Sequence, residues 1–299
     1  MNNSSSERIG FILDFDGTIT TKDTISTLAK CGISFQKDKR KDFSRAWDRI
    51  IAQYSEDYSK HVETYRPVKE ERNTLQEEVE WFRSLWENEV KSFVRVSESG
   101  LFKGIQEQDW KEFGHDAVKN GEVVLRKGFQ DFVTGISERG GTWGIVSVNF
   151  SYHFIRAVVG AEKAKVVVLA NECTKEGYIL GQEADEGGFR RVVATSDAKL
   201  ASMKRLLHTW SRAPKEGFSR LIYFGDSGTD IECLVAEGVT GIVMSDDGKS
   251  DLMRTLKRIG ISVLHVEEIS LGGDQKQLYW ARNFDEIVSS PLFASAPKA

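Results

Sequence analysis

Cysteine is scarce in this 299-residue chain, long apolar runs are absent, and neither charge dominates. The three cysteines, Cys31, Cys173 and Cys233, are far apart and lack Cys-x-x-Cys spacing, which argues against a disulfide framework and a zinc site. No segment reaches the roughly 18 consecutive apolar residues of a membrane span. The polar start, Met1 to Arg8, has no apolar core of a secretion signal. These absences predict a protein of the reducing cytoplasm with no membrane partner. A net charge of -4 gives no sign of broad nucleic-acid affinity. No internal repeat is visible. What remains, 40% hydrophobic and 29% charged, is the balance of a globular protein with one large domain or two smaller ones.

Short, nearly continuous apolar runs recur at Gly10 to Leu13, Thr142 to Val148, Lys165 to Ala170, Arg220 to Phe224 and Gly241 to Met244. Strands buried on both faces of a parallel sheet have this pattern. Helical patterns lie between them, at Phe129 to Glu138, Ser151 to Val159, Ala198 to Trp210 and Asp230 to Glu237. The alternation predicts a doubly wound, Rossmann-like α/β sheet. Asn171 to Gln182 reads as a small hairpin, Asp185 to Phe189 as a glycine-containing loop, and Leu278 to Val288 as a helix. Residues 22–125 break the rhythm. Leu75, Val79, Phe82, Trp86, Val90 and Phe93 recur every three or four positions, and no strand pattern intervenes. The expectation is an all-helical lobe over 22–125, inserted into an α/β core formed by 1–21 and 126–299. Its tryptophans, Trp47, Trp81, Trp86 and Trp110, read as packing, and the charge run Lys37 to Asp42 as a solvated loop or helix start.

The first apolar run ends in Asp14-Phe-Asp16-Gly-Thr-Ile-Thr20. Residues i and i+2 of an extended segment point the same way, so Asp14 and Asp16 can converge at a strand end. Two carboxylates there repel unless a cation lies between them or one is protonated, which suggests metal-assisted chemistry. Three further elements accompany the pair: Val146-Ser-Val-Asn149 at another strand end, Ser196-Asp-Ala-Lys199 at a helix start, and Tyr223 to Asp230 at a third strand end. In an open parallel sheet the strand-terminal motifs would share the carboxyl edge, where ligands bind.

In order and kind, these four motifs resemble those of the haloacid dehalogenase superfamily. The helical interval resembles the cap that phosphoserine-phosphatase-like members insert after the first motif. The resemblance implies Mg²⁺-dependent hydrolysis of a small phosphomonoester through an aspartyl-phosphate. Asp14 would be the nucleophile and Asp16 the general acid and then base, with its backbone carbonyl on the metal. Asp226 would ligate Mg²⁺ directly, and Asp230 directly or through water. Ser147, with the N–H groups of Val148 and Asn149, would hold phosphate oxygens, and Lys199 would pair with the phosphate and Asp14. Magnesium, with its hard oxygen ligands, suits such an aspartate cluster.

Some points stay open at this level. Lys204 lies on the same helix as Lys199. Asn149 could bind phosphate or substrate, or cap the following helix, and Ser227 could touch the metal shell or shape the turn. His61, His115 and His153 read as surface or packing residues. Within the resemblance, Asp16 favours phosphoryl transfer over dehalogenation. Ser147-Val-Asn149 differs from the Ser-Gly-Gly of phosphoserine phosphatases, and the larger insertion also departs from them. Substrate contacts would come from that insertion, with Lys22, Asp23, Tyr54, Tyr58, His61, Arg72 and Arg95 as candidates. The alternatives are a phosphomutase or phosphotransferase of the same fold, and a non-catalytic protein that binds a metabolite.

Overall fold

A computed structural model describes residues 8–37, 41–161, 165–182, 188–210, 218–269 and 278–294. Residues 185–187 of the loop expected over Asp185 to Phe189 and residues 38–40 of the Lys37 to Asp42 charge run fall outside them. In chain order the elements are β1 (Ile9–Leu13), α1 (Ile25–Phe35), α2 (Phe43–Thr64), α3 (Leu75–Ser84), α4 (Trp86–Ser99), α5 (Glu107–Lys119) and α6 (Phe129–Glu138). Next come β2 (Thr142–Val146), α7 (Tyr152–Val158), β3 (Val167–Leu169), β4 (Asn171–Cys173), β5 (Ile179–Gly181) and α8 (Ser196–Trp210). The chain continues with β6 (Arg220–Gly225), α9 (Ile231–Leu234), β7 (Val239–Met244), α10 (Asp251–Arg258), β8 (Val263–His265), β9 (Leu278–Ala281), α11 (Phe284–Ser289) and α12 (Pro291–Ala294).

Seven strands form a parallel sheet in the order β3-β2-β1-β6-β7-β9-β8. β1 is central because Ile9 to Leu13 is buried throughout and tolerates neighbours on both sides. The chain leaves β1 for β2 and β3 on one side, then crosses to β6 and β7 on the other. The switch point lies between β1 and β6, where the crevice of such a sheet binds ligands. Helices cover both faces. On one, Phe11, Phe132, Phe224, Phe284 and Phe293 pack edge-on or tilted with centroids 5.0–6.3 Å apart. On the other, Ile12, Val146, Met203, Leu206, Tyr223 and Val243 share a second buried cluster.

The antiparallel pair β4–β5 is the hairpin expected at Asn171 to Gln182. Two expectations need correction. Leu278 to Val288 is not one helix: Leu278–Ala281 pairs with β7 and β8, and a helix begins only at Phe284. Four consecutive buried or half-buried residues suit a sheet interior better than an amphipathic helix. The helix expected over Asp230 to Glu237 is a 3-10 turn at Gly228–Asp230 followed by four α-helical residues. Helices α1 to α6 lie between β1 and β2 in the chain; Phe93 of α4 meets Phe150, which follows β2, and Phe102 meets Trp110 of α5. No helix of the described residues is long and apolar enough to cross a membrane.

Candidate active site

Asp14 extends the ladder of β1, donating its N–H to Phe224 O at 2.9 Å, so its side chain is fixed at the strand end. The chain then turns at Gly17, whose φ is 72°. A Cβ there would lie 2.2 Å from Asp226 Oδ2, so glycine is required for conformation and for space. Through this close approach the loops after β1 and β6 meet. Asp14, Asp226 and Asp230 each present a carboxylate oxygen, all within 4.8 Å of one another. Thr18 Oγ1 donates to Asp226 Oδ1 at 3.3 Å.

Lys199 enters from the first turn of α8. Its fully buried Nζ lies 2.7 Å from Asp14 Oδ1 and 2.7 Å from Asp230 Oδ1. Asp230 Oδ1 also accepts from Tyr223 OH at 2.7 Å, while its Oδ2 accepts from the N–H groups of Asp226 and Ser227. Asp230 thus anchors the lysine and closes the turn that carries Asp226. Lys204 is exposed. Burial opposes the Lys199 charge, but Asp14 and Asp230 outweigh it and hold the ammonium above its usual range. Burial and Asp230 push the Asp14 carboxyl well up against the pull of Lys199. Burial, then Asp230, raises Asp226 to about 7.

Asp16 turns away from this cluster. Its Oδ1 accepts from Thr24 N at 2.8 Å and Thr24 Oγ1 at 2.7 Å, and its Oδ2 from Asn149 Nδ2 at 2.9 Å. Burial and the nearby Asp23 nevertheless lift its carboxyl to about 6. Asn149 Oδ1 accepts from Ser151 N, and Asn149 N donates to Ser147 Oγ at 3.0 Å. The Asn149 side chain and N–H are therefore committed within the protein, and the residue positions Asp16 and shapes the loop after β2. Ser147 is fully buried at the end of β2, the neighbour of β1, and its N–H donates to Leu169 O at 3.0 Å. Ser227 serves the turn, its hydroxyl 3.2 Å from Asp230 Oδ2.

Two further residues, silent in the sequence, brace the site. Asn171 Nδ2 donates to the carbonyls of Val148, Asn149 and Val193, and its Oδ1 accepts from Val193 N, which splints the loop after β2. The buried Arg126 donates to the carbonyls of Gly17, Thr18 and Arg282 and pairs with Asp246 at 2.6 Å, tying together the loops after β1, β7 and β9. Neither carries a spacing signal, because their partners are distant in sequence.

A phosphoserine phosphohydrolase-like protein from Francisella tularensis shares this architecture with a TM-score of 0.51 at 14% identity, over 94% of this chain and 98% of that one. Cytosolic 5'-nucleotidase IIIB bound to cytidine gives 0.52 at 15% identity, over 85% of this chain and 79% of its own. The fold is that of the haloacid dehalogenase superfamily. Cold tolerance protein 1 of Saccharomyces cerevisiae is 24% identical over 251 residues, covering 78% of this chain and 77% of that protein. No protein-family model matches.

On this haloacid dehalogenase fold, several expected substrate contacts are occupied by protein partners. Tyr54 OH donates to Glu89, His61 Nε2 lies 2.8 Å from Ser84 Oγ, and Arg95 pairs with Asp57 at 2.5 Å. The buried Arg72 pairs with Glu78 at 2.7 Å and lies over the Trp81 ring. Asp23 Oδ1 accepts from Ile25 N, the exposed Lys22 offers its carbonyl to Thr20, and Tyr58 stacks with Tyr54. His153 is 3.6 Å from Glu107.

A hard divalent cation fits the carboxylate cluster. Asp14 Oδ1 is buried and, although near Lys199, makes no hydrogen bond of good geometry. Three converging carboxylates outnumber the single buried lysine, which leaves negative charge for a cation to neutralise.

Proposed function

We propose that the protein is a phosphoric monoester hydrolase of the reducing cytoplasm that acts on a small phosphorylated metabolite. The observation that carries this reading is the buried Asp14–Lys199 pair, 2.7 Å apart, at the end of the central strand beside Asp226. A binding protein would have little use for so costly an arrangement. In this reading residues 22–125 act as a cap on a core formed by 1–21 and 126–299.

Asp14 attacks phosphorus, and the bond to the leaving oxygen breaks as Asp16 gives that oxygen its proton. Asp16 then takes a proton from water, which attacks the aspartyl-phosphate and frees Asp14 and inorganic phosphate. A carboxyl lifted to about 6 can serve in both directions near neutral pH. Ser147 and the Val148 N–H hold phosphate oxygens, and Lys199 offsets charge on Asp14 and the transferred group. Asp14, Asp226 and the Asp16 carbonyl would hold Mg²⁺, with Asp230 supporting them directly or through water. Bound Mg²⁺ supplies charge neutralisation between the anionic nucleophile and the phosphate.

The test is phosphate release from phosphorylated amino acids, sugars, polyols, nucleotides and vitamins, with Mg²⁺ and with EDTA. Turnover should need Mg²⁺ and fall to background in Asp14→Asn, and Asp16→Asn should lose roughly 10²–10⁴-fold. Equal turnover by wild type and Asp14→Asn would sink the reading.

A further inference from the structure

Helix α3 does not rest loosely on the α/β core. Glu232, 6% exposed, follows the Asp226–Asp230 loop by two residues and accepts from Arg83 Nε at 2.9 Å, with the second Arg83 nitrogen on its other oxygen. Glu232 also accepts from Ser196 Oγ at 2.8 Å, and Ser196 opens the helix that carries Lys199. At the other end of α3, Glu78, 1% exposed, accepts from Arg258 of α10 at 2.7 Å as well as from Arg72. Between these pairs, Phe82 lies so close to Gly228 that a Cβ there would come within 2.0 Å of its ring. Two nearly buried carboxylates thus bind α3 to the core, and an aromatic ring is pressed onto the loop that presents Asp226. Breaking either pair would strand a desolvated charge, which makes α3 costly to lift.

We propose that Phe82, Arg83 and Glu232 form a clamp that holds the Gly225–Asp230 loop and the start of α8 in the arrangement needed for a divalent cation. These are positioning residues, since none offers a ligand to the cluster. The clamp makes α3 a fixed wall of the site; any opening of the helical segment turns on its other helices. The inference rests on the metal-site reading of Asp14 and Asp226.

The test is Mg²⁺ affinity by titration calorimetry, with hydrogen exchange of residues 225–234, on the full chain. Arg83→Ala removes the half-exposed partner, Phe82→Leu removes the ring, and Arg83→Lys is the conservative rescue. Arg254→Ala, which breaks an exposed pair with Asp251, is the control. Arg83→Ala and Phe82→Leu should weaken Mg²⁺ binding by about 10–100-fold. Exchange of the loop should quicken in both, and Arg83→Lys should recover part of the affinity. Folded variants with unchanged affinity and unchanged loop exchange would overturn the clamp. Wild-type protein that binds no Mg²⁺ would overturn the metal-site reading instead, and loop exchange would still decide whether Arg83 and Phe82 restrain the loop.

Discussion

Asp14, Asp16, Lys199 and Asp226 stand out in the sequence because each ends a strand or opens a helix in an acidic or polar motif. Their surroundings do not stand out, and those surroundings set their chemistry. Burial raises Asp16 to about 6 and Asp226 to about 7 from an ordinary 3.8. A carboxyl raised in the folded state favours folding below its unfolded value and loses that contribution as pH climbs through the folded value. Metal-free protein should therefore lose stability as these two groups ionise between about pH 4 and pH 7. Urea unfolding in EDTA across that range measures it, and Asp226→Asn should flatten the decline relative to wild type. Saturating Mg²⁺ should offset it as well. The commitment of Asn149 to Asp16 was not legible, because an asparagine after a strand equally suits a helix start. Only the position of Thr24, opposite it in space, decides.

At the level of elements, α5 and α7 show what joins the helical interval to the sheet. A Cβ on Gly114 would come within 2.7 Å of Ala157 Cβ and 3.0 Å of Phe154 O. Gly114→Val should overpack this crossing and cost about 1–3 kcal/mol, read as a lower urea midpoint. Strands β1, β2, β3, β6 and β7 were legible as continuous apolar runs. β8 and β9 were not, because Val263–His265 is too short to show a period. Leu278–Ala281 runs within two residues into a helix, which gives the whole stretch a helical look. The contacts of α3 with the core were likewise invisible, since Glu78, Arg83 and Glu232 read as ordinary charges on exposed helix faces.

For the whole molecule, strand order brings the first motif and the fourth together at the switch point between β1 and β6. The sequence motifs anticipated that meeting, but not the buried cation that holds the edge of the sheet together. Arg126 grips the carbonyls of Gly17 and Thr18 in the loop after β1 and the carbonyl of Arg282 just after β9. On a ribosome, then, Asp14 emerges long before Arg282, whose carbonyl completes the brace on the loop after β1. A nascent chain halted before Arg282 would display every proposed catalytic side chain and still lack the last strut beneath them.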